Sequence, residues 1–202
     1  MRTLLRLSLA VAVVAAVGIG IVGCTEEEDA SRIVVDITNL NSNSPLFSDV
    51  FNQNNTPTNP DDDFIPIDVV PVTFQARPHD SALTLSPNGP FGSVRFTKYR
   101  VEFTDGIHSG GADLDGDGTL DLKNFDAPMN LVVDVNDEAT AFILIIGGGV
   151  KSVSPLSDLR SGGEYDANAR LTFFGQEETS GDHLTLNRGL TIRIANFGDT
   201  KK

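Results

Sequence analysis

Gly92-Ser93-Val94-Arg95-Phe96-Thr97-Lys98-Tyr99-Arg100-Val101-Glu102-Phe103-Thr104 is the stretch that decides the fold class. Val94 and Phe96 hold one parity, while Tyr99, Val101 and Phe103 hold the other. Period-two apolar spacing is the mark of a strand with one buried face. A parity flip inside such a run marks one extra residue, a β-bulge at Thr97 and Lys98. A strand this long, bent midway, is expected to pass from one sheet to another. Before it, Val70, Val72, Phe74 and Ala76 share a face, and Pro71, which lacks an N–H, suggests an edge strand. After it, Ala167, Ala169, Leu171 and Phe173 alternate with Asn168, Arg170, Thr172 and Phe174. The chain then returns through Gly181-Asp182 as a long terminal hairpin.

Short β-branched and aromatic runs separated by Gly, Pro, Asn and Asp continue along the chain, and no window carries a convincing 3.6-residue period. Strands are expected at 32–38, 69–77, 92–104, 129–135, 140–146, 164–175 and 184–195. Seven strands in one domain spanning 32–202 fit an all-β, immunoglobulin-like β-sandwich. The run 140–146, apolar at every residue from Ala141 to Ile146, reads as a central strand buried on both faces. One helical turn is expected around Leu156 to Leu159, and Gly147-Gly148-Gly149 reads as a flexible turn. A polar insert, 39–63, contains Asn52-Gln53-Asn54-Asn55 and ends in Asp61-Asp62-Asp63. Its length and composition are those of a disordered segment or a surface lid.

The 202 residues carry 28 acids against 15 bases, a formal charge of −13. A nucleic-acid binder needs a basic face, so DNA and RNA are excluded as partners. Twenty of the acids are Asp, a weak helix former suited to loops and oxygen-ligand sites. The single cysteine excludes an intrachain disulfide, a zinc cluster and a thiolate-held iron–sulfur centre.

Arg2 and Arg6 precede an apolar stretch from Leu7 to Val22, which ends in Ile21-Val22-Gly23-Cys24. This is the layout of a secretory signal, and its end resembles the lipobox of bacterial lipoproteins. The resemblance implies a signal peptide at 1–23, cleavage after Gly23, and lipidation of Cys24, whose thiol carries the diacylglyceryl group. It also implies a cell-envelope address with the membrane as a partner through the anchor. Thr25 follows the cysteine, and in Gram-negative sorting that favours the outer membrane. Residues 24–31 are then a short acidic tether. Losing Arg2 and Arg6 takes the formal charge from −13 to −15. A chain so acidic is repelled by anionic lipid surfaces, so the anchor has to hold it there.

One motif carries definite chemistry. Asp113-Leu114-Asp115-Gly116-Asp117-Gly118-Thr119-Leu120-Asp121 sets acids at positions 1, 3, 5 and 9 and glycine at 6. That spacing curls alternate carboxylates onto one hard cation of calcium's size, and Thr119 at position 7 would add its carbonyl. The pattern resembles the calcium loops of EF-hands, dockerins and thrombospondin type 3 repeats over nine to 12 residues. It departs from them at position 12, where Asn124 replaces the bidentate Glu and Asp126 is the possible substitute. The flanks read as strands, so the loop is expected to hold Ca²⁺ structurally and weakly. The competing interpretation is a solvated acidic turn, which Asp-Gly repeats also make.

No catalytic constellation emerges. Gly106-Ile107-His108-Ser109-Gly110 lacks a central Ser, and His79-Asp80 and His183 fall in turns. Glu102 and Asp105 lie at a strand end without a defined partner. Asp61-Asp62-Asp63 reads as a solvated run, with help in holding a cation as the alternative. The expected function is therefore a non-catalytic structural or interaction module of the envelope with a protein partner. A glycan- or ligand-binding sandwich is the alternative, and an envelope enzyme is a distant third. The absence of Trp and the presence of only two Tyr disfavour the aromatic platforms that sugars use.

Overall fold

The computed structural model describes residues 32–52, 63–82, 85 and 92–197. The expected signal peptide at 1–23, Cys24 with the expected tether at 24–31, and residues 53–62 of the polar insert lie outside the described residues. Within them the chain is predominantly strand. All seven expected strands form: β1 (Ile33–Leu40), β3 (Asp68–Pro78), β4 (Ser93–Thr104), β7 (Phe125–Asp134), β8 (Glu138–Ile146), β9 (Glu164–Glu177) and β10 (His183–Ala195). Three further strands are short: β2 (Leu46–Asp49), β5 (Gly111–Ala112) and β6 (Leu122–Lys123).

One sheet has the order β1-β3-β8, a second has β2-β10-β9-β4-β7, and β5-β6 make a two-stranded clasp. The β9–β10 hairpin is antiparallel from Gln176 opposite His183 to Glu164 opposite Ala195. β2 pairs in parallel with β10, Leu46 opposite Ile192. The register of β4 shifts between Phe96 and Lys98 against both of its neighbours, which is the bulge that the parity flip requires. Pro128, which cannot donate to a ladder, sits opposite Lys98 at that bulge on the edge strand β7. Contrary to expectation, β4 does not change sheets: it pairs with β9 from Val94 to Thr104. The bulge turns its side chains over and leaves its partners unchanged.

Two other placements differ from the sequence reading. β3 is central rather than an edge strand. Its last β1 pair is Val72 with Leu40, so Pro71 lies just beyond, where β3 is locally an edge. β8, expected to be central, is an edge strand. Ile143, Ile145 and Ile146 are buried, but Phe142 is 74% exposed beside Val69 and Leu144. The free side of β8 is closed by a side chain. The Leu144 N–H donates to the Tyr99 hydroxyl at 3.1 Å, and that hydroxyl donates back to the Leu144 carbonyl at 3.3 Å. Exposed ladder groups invite pairing with another chain, and this exchange occupies one set of them.

Side chains from the two larger sheets enter one hydrophobic cluster. Phe74 of β3 packs against Phe96 of β4 with ring centroids 4.7 Å apart, and against Phe173 of β9 edge-on at 5.0 Å. All three rings are fully buried. Truncating such a ring to Ala costs about 3–5 kcal/mol.

The connection from β8 to β9 is more ordered than its glycines suggest. Gly147 caps a short helix, α1 (Gly148–Lys151), and a 3₁₀ segment, Leu156–Ser161, supplies the expected turn and buries Leu156 and Leu159. The polar insert is also partly regular: it contains a left-handed turn, Asn41–Asn43, with φ of +47°, +57° and +55°, and then β2.

Candidate metal loop

The acidic loop hangs from a backbone clasp. Gly111 pairs with Lys123 and Ala112 with Leu122, and the chain is tied again by Asp121 N–H to the Ala112 carbonyl and Asn124 N–H to the Gly110 carbonyl, both at 2.9 Å. A methyl on Gly111 would overlap the Leu122 carbonyl, so only glycine permits this approach. Inside the loop, Gly116 and Gly118 have φ of +81° and +90°. Side chains strain that region, which is why the Asp-Gly-Asp-Gly alternation suits a tight curl.

The curl turns the carboxylates onto the loop's own backbone. Asp113 accepts from Gly116 N–H at 2.7 Å and Gly118 N–H at 2.8 Å. Asp115 accepts from Asp117 N–H, and Asp117 from Thr119 N–H at 2.7 Å. Asp121 accepts from Leu114 N–H at 2.8 Å, closing the loop across its base. One carboxylate oxygen each from Asp113, Asp115 and Asp117 lie within 4.8 Å of one another. Asp113 is half-buried, and the other two are exposed. The Gly118 N–H, with that of Gly116, lowers the Asp113 carboxyl below its ordinary range. Burial raises that of Asp121, and the charges of Asp115, Asp113 and Asp117 add to the rise. Like charges gathered this closely favour a cation among them.

The remaining sequence candidates go elsewhere. The Asn124 side-chain oxygen accepts from Phe103 N–H of β4 at 2.7 Å. Asp126 accepts from Arg100 Nε at 2.6 Å and Lys98 Nζ at 3.2 Å, and these two cations hold its carboxyl down at about 2. The structure thus gathers Asp113, Asp115 and Asp117, keeps Asp121 at the base, and directs Asn124 and Asp126 to β4. Cys24, Asp61 and Asp62 lie outside the described residues.

A residue the sequence reading left undefined organises the loop's entry. Asp105, just after β4, accepts from Ile107 N–H at 2.8 Å, His108 N–H at 2.9 Å and Asp113 N–H at 3.0 Å. His108 Nδ1 lies 2.7 Å from its second oxygen. These bonds, led by the His108 N–H, hold the Asp105 carboxyl well below the usual carboxylate range. The same carboxylate raises His108. The readable signal was Asp105-Gly106 directly after a strand, the mark of an Asp side chain bonding its own turn.

Beside the loop, an open groove of about 410 Å³ runs between Thr119-Leu120-Asp121 and Val150, Val153 and Leu156 of the β8–β9 connection. Among the described residues no helix is long and apolar enough to cross a membrane. Compared with protein-family models, curated proteins and solved structures, the chain finds no match.

Proposed function

We propose that the protein is a lipid-anchored module of the cell envelope, non-catalytic, with a calcium ion bracing its 113–121 loop. In this reading the three- and five-stranded sheets are the two layers of an immunoglobulin-like β-sandwich, and an envelope protein is the partner. The layered arrangement is supported by the shared core of Phe74, Phe96 and Phe173. The address rests on the basic start, apolar run and Ile21-Val22-Gly23-Cys24 of the amino terminus. The observation that carries the calcium assignment is the convergence of Asp113, Asp115 and Asp117 oxygens on a loop closed by the β5–β6 clasp.

Hard cations take six to eight oxygens, and Asp113, Asp115 and Asp117, with the Thr119 carbonyl and water, would supply them. Without a bidentate acid at position 12, the affinity belongs with extracellular modules, about 10⁻⁴–10⁻³ M. A calorimetric calcium titration, paired with thermal melts in calcium and in chelator, tests the assignment. Saturable binding with a melting temperature that climbs with calcium is expected, because an ion held only by the folded state stabilises it by mass action. Melts that superimpose, with no heat of binding, would reduce the loop to an acidic turn. Mass spectrometry of the membrane fraction tests the anchor: an unmodified Cys24 would remove it.

A further inference from the structure

Lys151 ends α1 with a side chain that is fully buried. Its Nζ lies 2.9 Å from Asp68 Oδ1 at the start of β3 and donates to the Asp49 carbonyl at 2.8 Å. The other Asp68 oxygen accepts from the Ser48 hydroxyl of β2 at 2.6 Å. Asp68 is 6% exposed and Ser48 not at all. This cluster is remote in sequence from the acidic loop and independent of the calcium reading.

We propose that Lys151 and Asp68 condense into an intramolecular isopeptide bond, an Nζ–Cγ amide that staples α1 to β3. The ion pair is the reactant pair. The Lys151 ammonium passes one proton to the Asp68 carboxylate, leaving an amine beside a carboxylic acid. The Nζ lone pair attacks Cγ, and the negative charge that develops on one Asp68 oxygen faces the Ser48 hydroxyl. A second Nζ proton moves to the hydroxyl oxygen of Asp68, the Cγ–O bond breaks, and its electron pair leaves in one molecule of water. Nothing is oxidised or reduced, and no co-reactant is consumed.

Three observations support the step. The two groups are held in contact by consecutive residues of β2: the Asp49 carbonyl fixes Nζ and the Ser48 hydroxyl fixes the carboxyl. Holding reactants this way replaces a bimolecular encounter by very high effective concentrations. Burial raises the Asp68 carboxyl, against the opposing hydrogen bonds of Ser48 and Lys151, which favours the acid form the reaction needs. Condensation also removes two charges from a dry interior, where each carries a desolvation penalty. The amide would close a loop between residues 83 apart, restraining the unfolded chain as a disulfide does. The lone cysteine leaves this chain no disulfide of its own.

The test is the mass of the purified full chain, denatured, beside that of Lys151→Arg prepared identically, so that any lipid cancels. Arg keeps the cation and lacks the primary amine. Beyond the substitution itself, the parent chain is expected to be lighter by one water. Its digest should yield a branched peptide joining Lys151 to Asp68. A folded parent chain that gives separate, unmodified Lys151 and Asp68 peptides would overturn the proposal. Should the Arg variant not fold, the branched peptide of the parent chain decides alone.

Discussion

Two acid-bearing regions of this protein solve opposite problems. Asp113, Asp115 and Asp117 sit toward the surface and are satisfied almost entirely by backbone N–H groups, and among the described residues no side-chain cation lies within hydrogen-bond reach of their gathered charges. Asp68 sits inside and is satisfied by two side chains, one of them a cation. Water makes the first arrangement tolerable, because screening keeps mutual repulsion small. Inside, an unpaired carboxylate would face a desolvation cost of several kcal/mol, so the partner is indispensable. The surface cluster is therefore poised to gain from an added ion. The buried one already has its cation in place, the partner with which we propose it reacts.

The comparison breaks most sharply at Lys151. Lys151→Met should lower unfolding free energy by about 3–5 kcal/mol in urea denaturation, because it strands Asp68. Adding Asp68→Leu should return the part of that loss due to the stranded carboxylate, but not the part due to the missing amide. If Lys151→Met unfolds like the parent chain, the pair is not a determinant of stability.

Gly111→Ala probes the clasp that holds the surface acids. The overlap with the Leu122 carbonyl should cost about 1–3 kcal/mol and weaken calcium binding with it. A variant with unaltered melting and calcium response would show that the loop shapes itself. Asp115→Ala with Asp117→Ala should change stability by less than about 0.5 kcal/mol in chelator. Those changes should also abolish the rise in melting temperature with calcium. A large loss in chelator would make these acids structural in their own right.

The smallest effect is expected at the Asp105–His108 pair, and it should depend on pH. His108 is raised in the folded state, so its contribution is complete below its ordinary value of 6.5 and fades as pH rises through the folded value. Asp105 is lowered, so its contribution is complete above its ordinary 3.8 and is lost as pH falls through the folded value. Between 3.8 and 6.5 both act. The melting-temperature gap between His108→Ala and the parent chain should be widest in that window and narrow above it. A gap independent of pH would mean that His108 contributes only packing.

Local pattern was sufficient wherever a structure follows from neighbouring residues. The bulge of β4 was legible because a one-residue slip reverses which side chains face inward, and Phe96 and Tyr99 record it. The terminal hairpin was legible from alternation around a Gly-Asp turn. The acidic loop stood out through its spacing. Illegible were features whose partners are distant. β2 is four residues long and exists through pairing with β10. β5 and β6 have two residues each and are held by each other. Asn124 looked like a ligand by count, but the Phe103 N–H on β4 takes its side chain.

By itself, the sequence determined the all-β class, the seven long strands, the bulge and the acidic turn, because period-two burial and glycine conformations act over a few residues. Only the tertiary structure decided strand order, which made β3 central despite Pro71 and β8 an edge despite its apolar run. It alone also decided that Lys151, in a stretch of Gly and Ser, is buried. A lone lysine reads as solvated, and its burial depends on Asp68, Asp49 and Ser48 arriving from far along the chain.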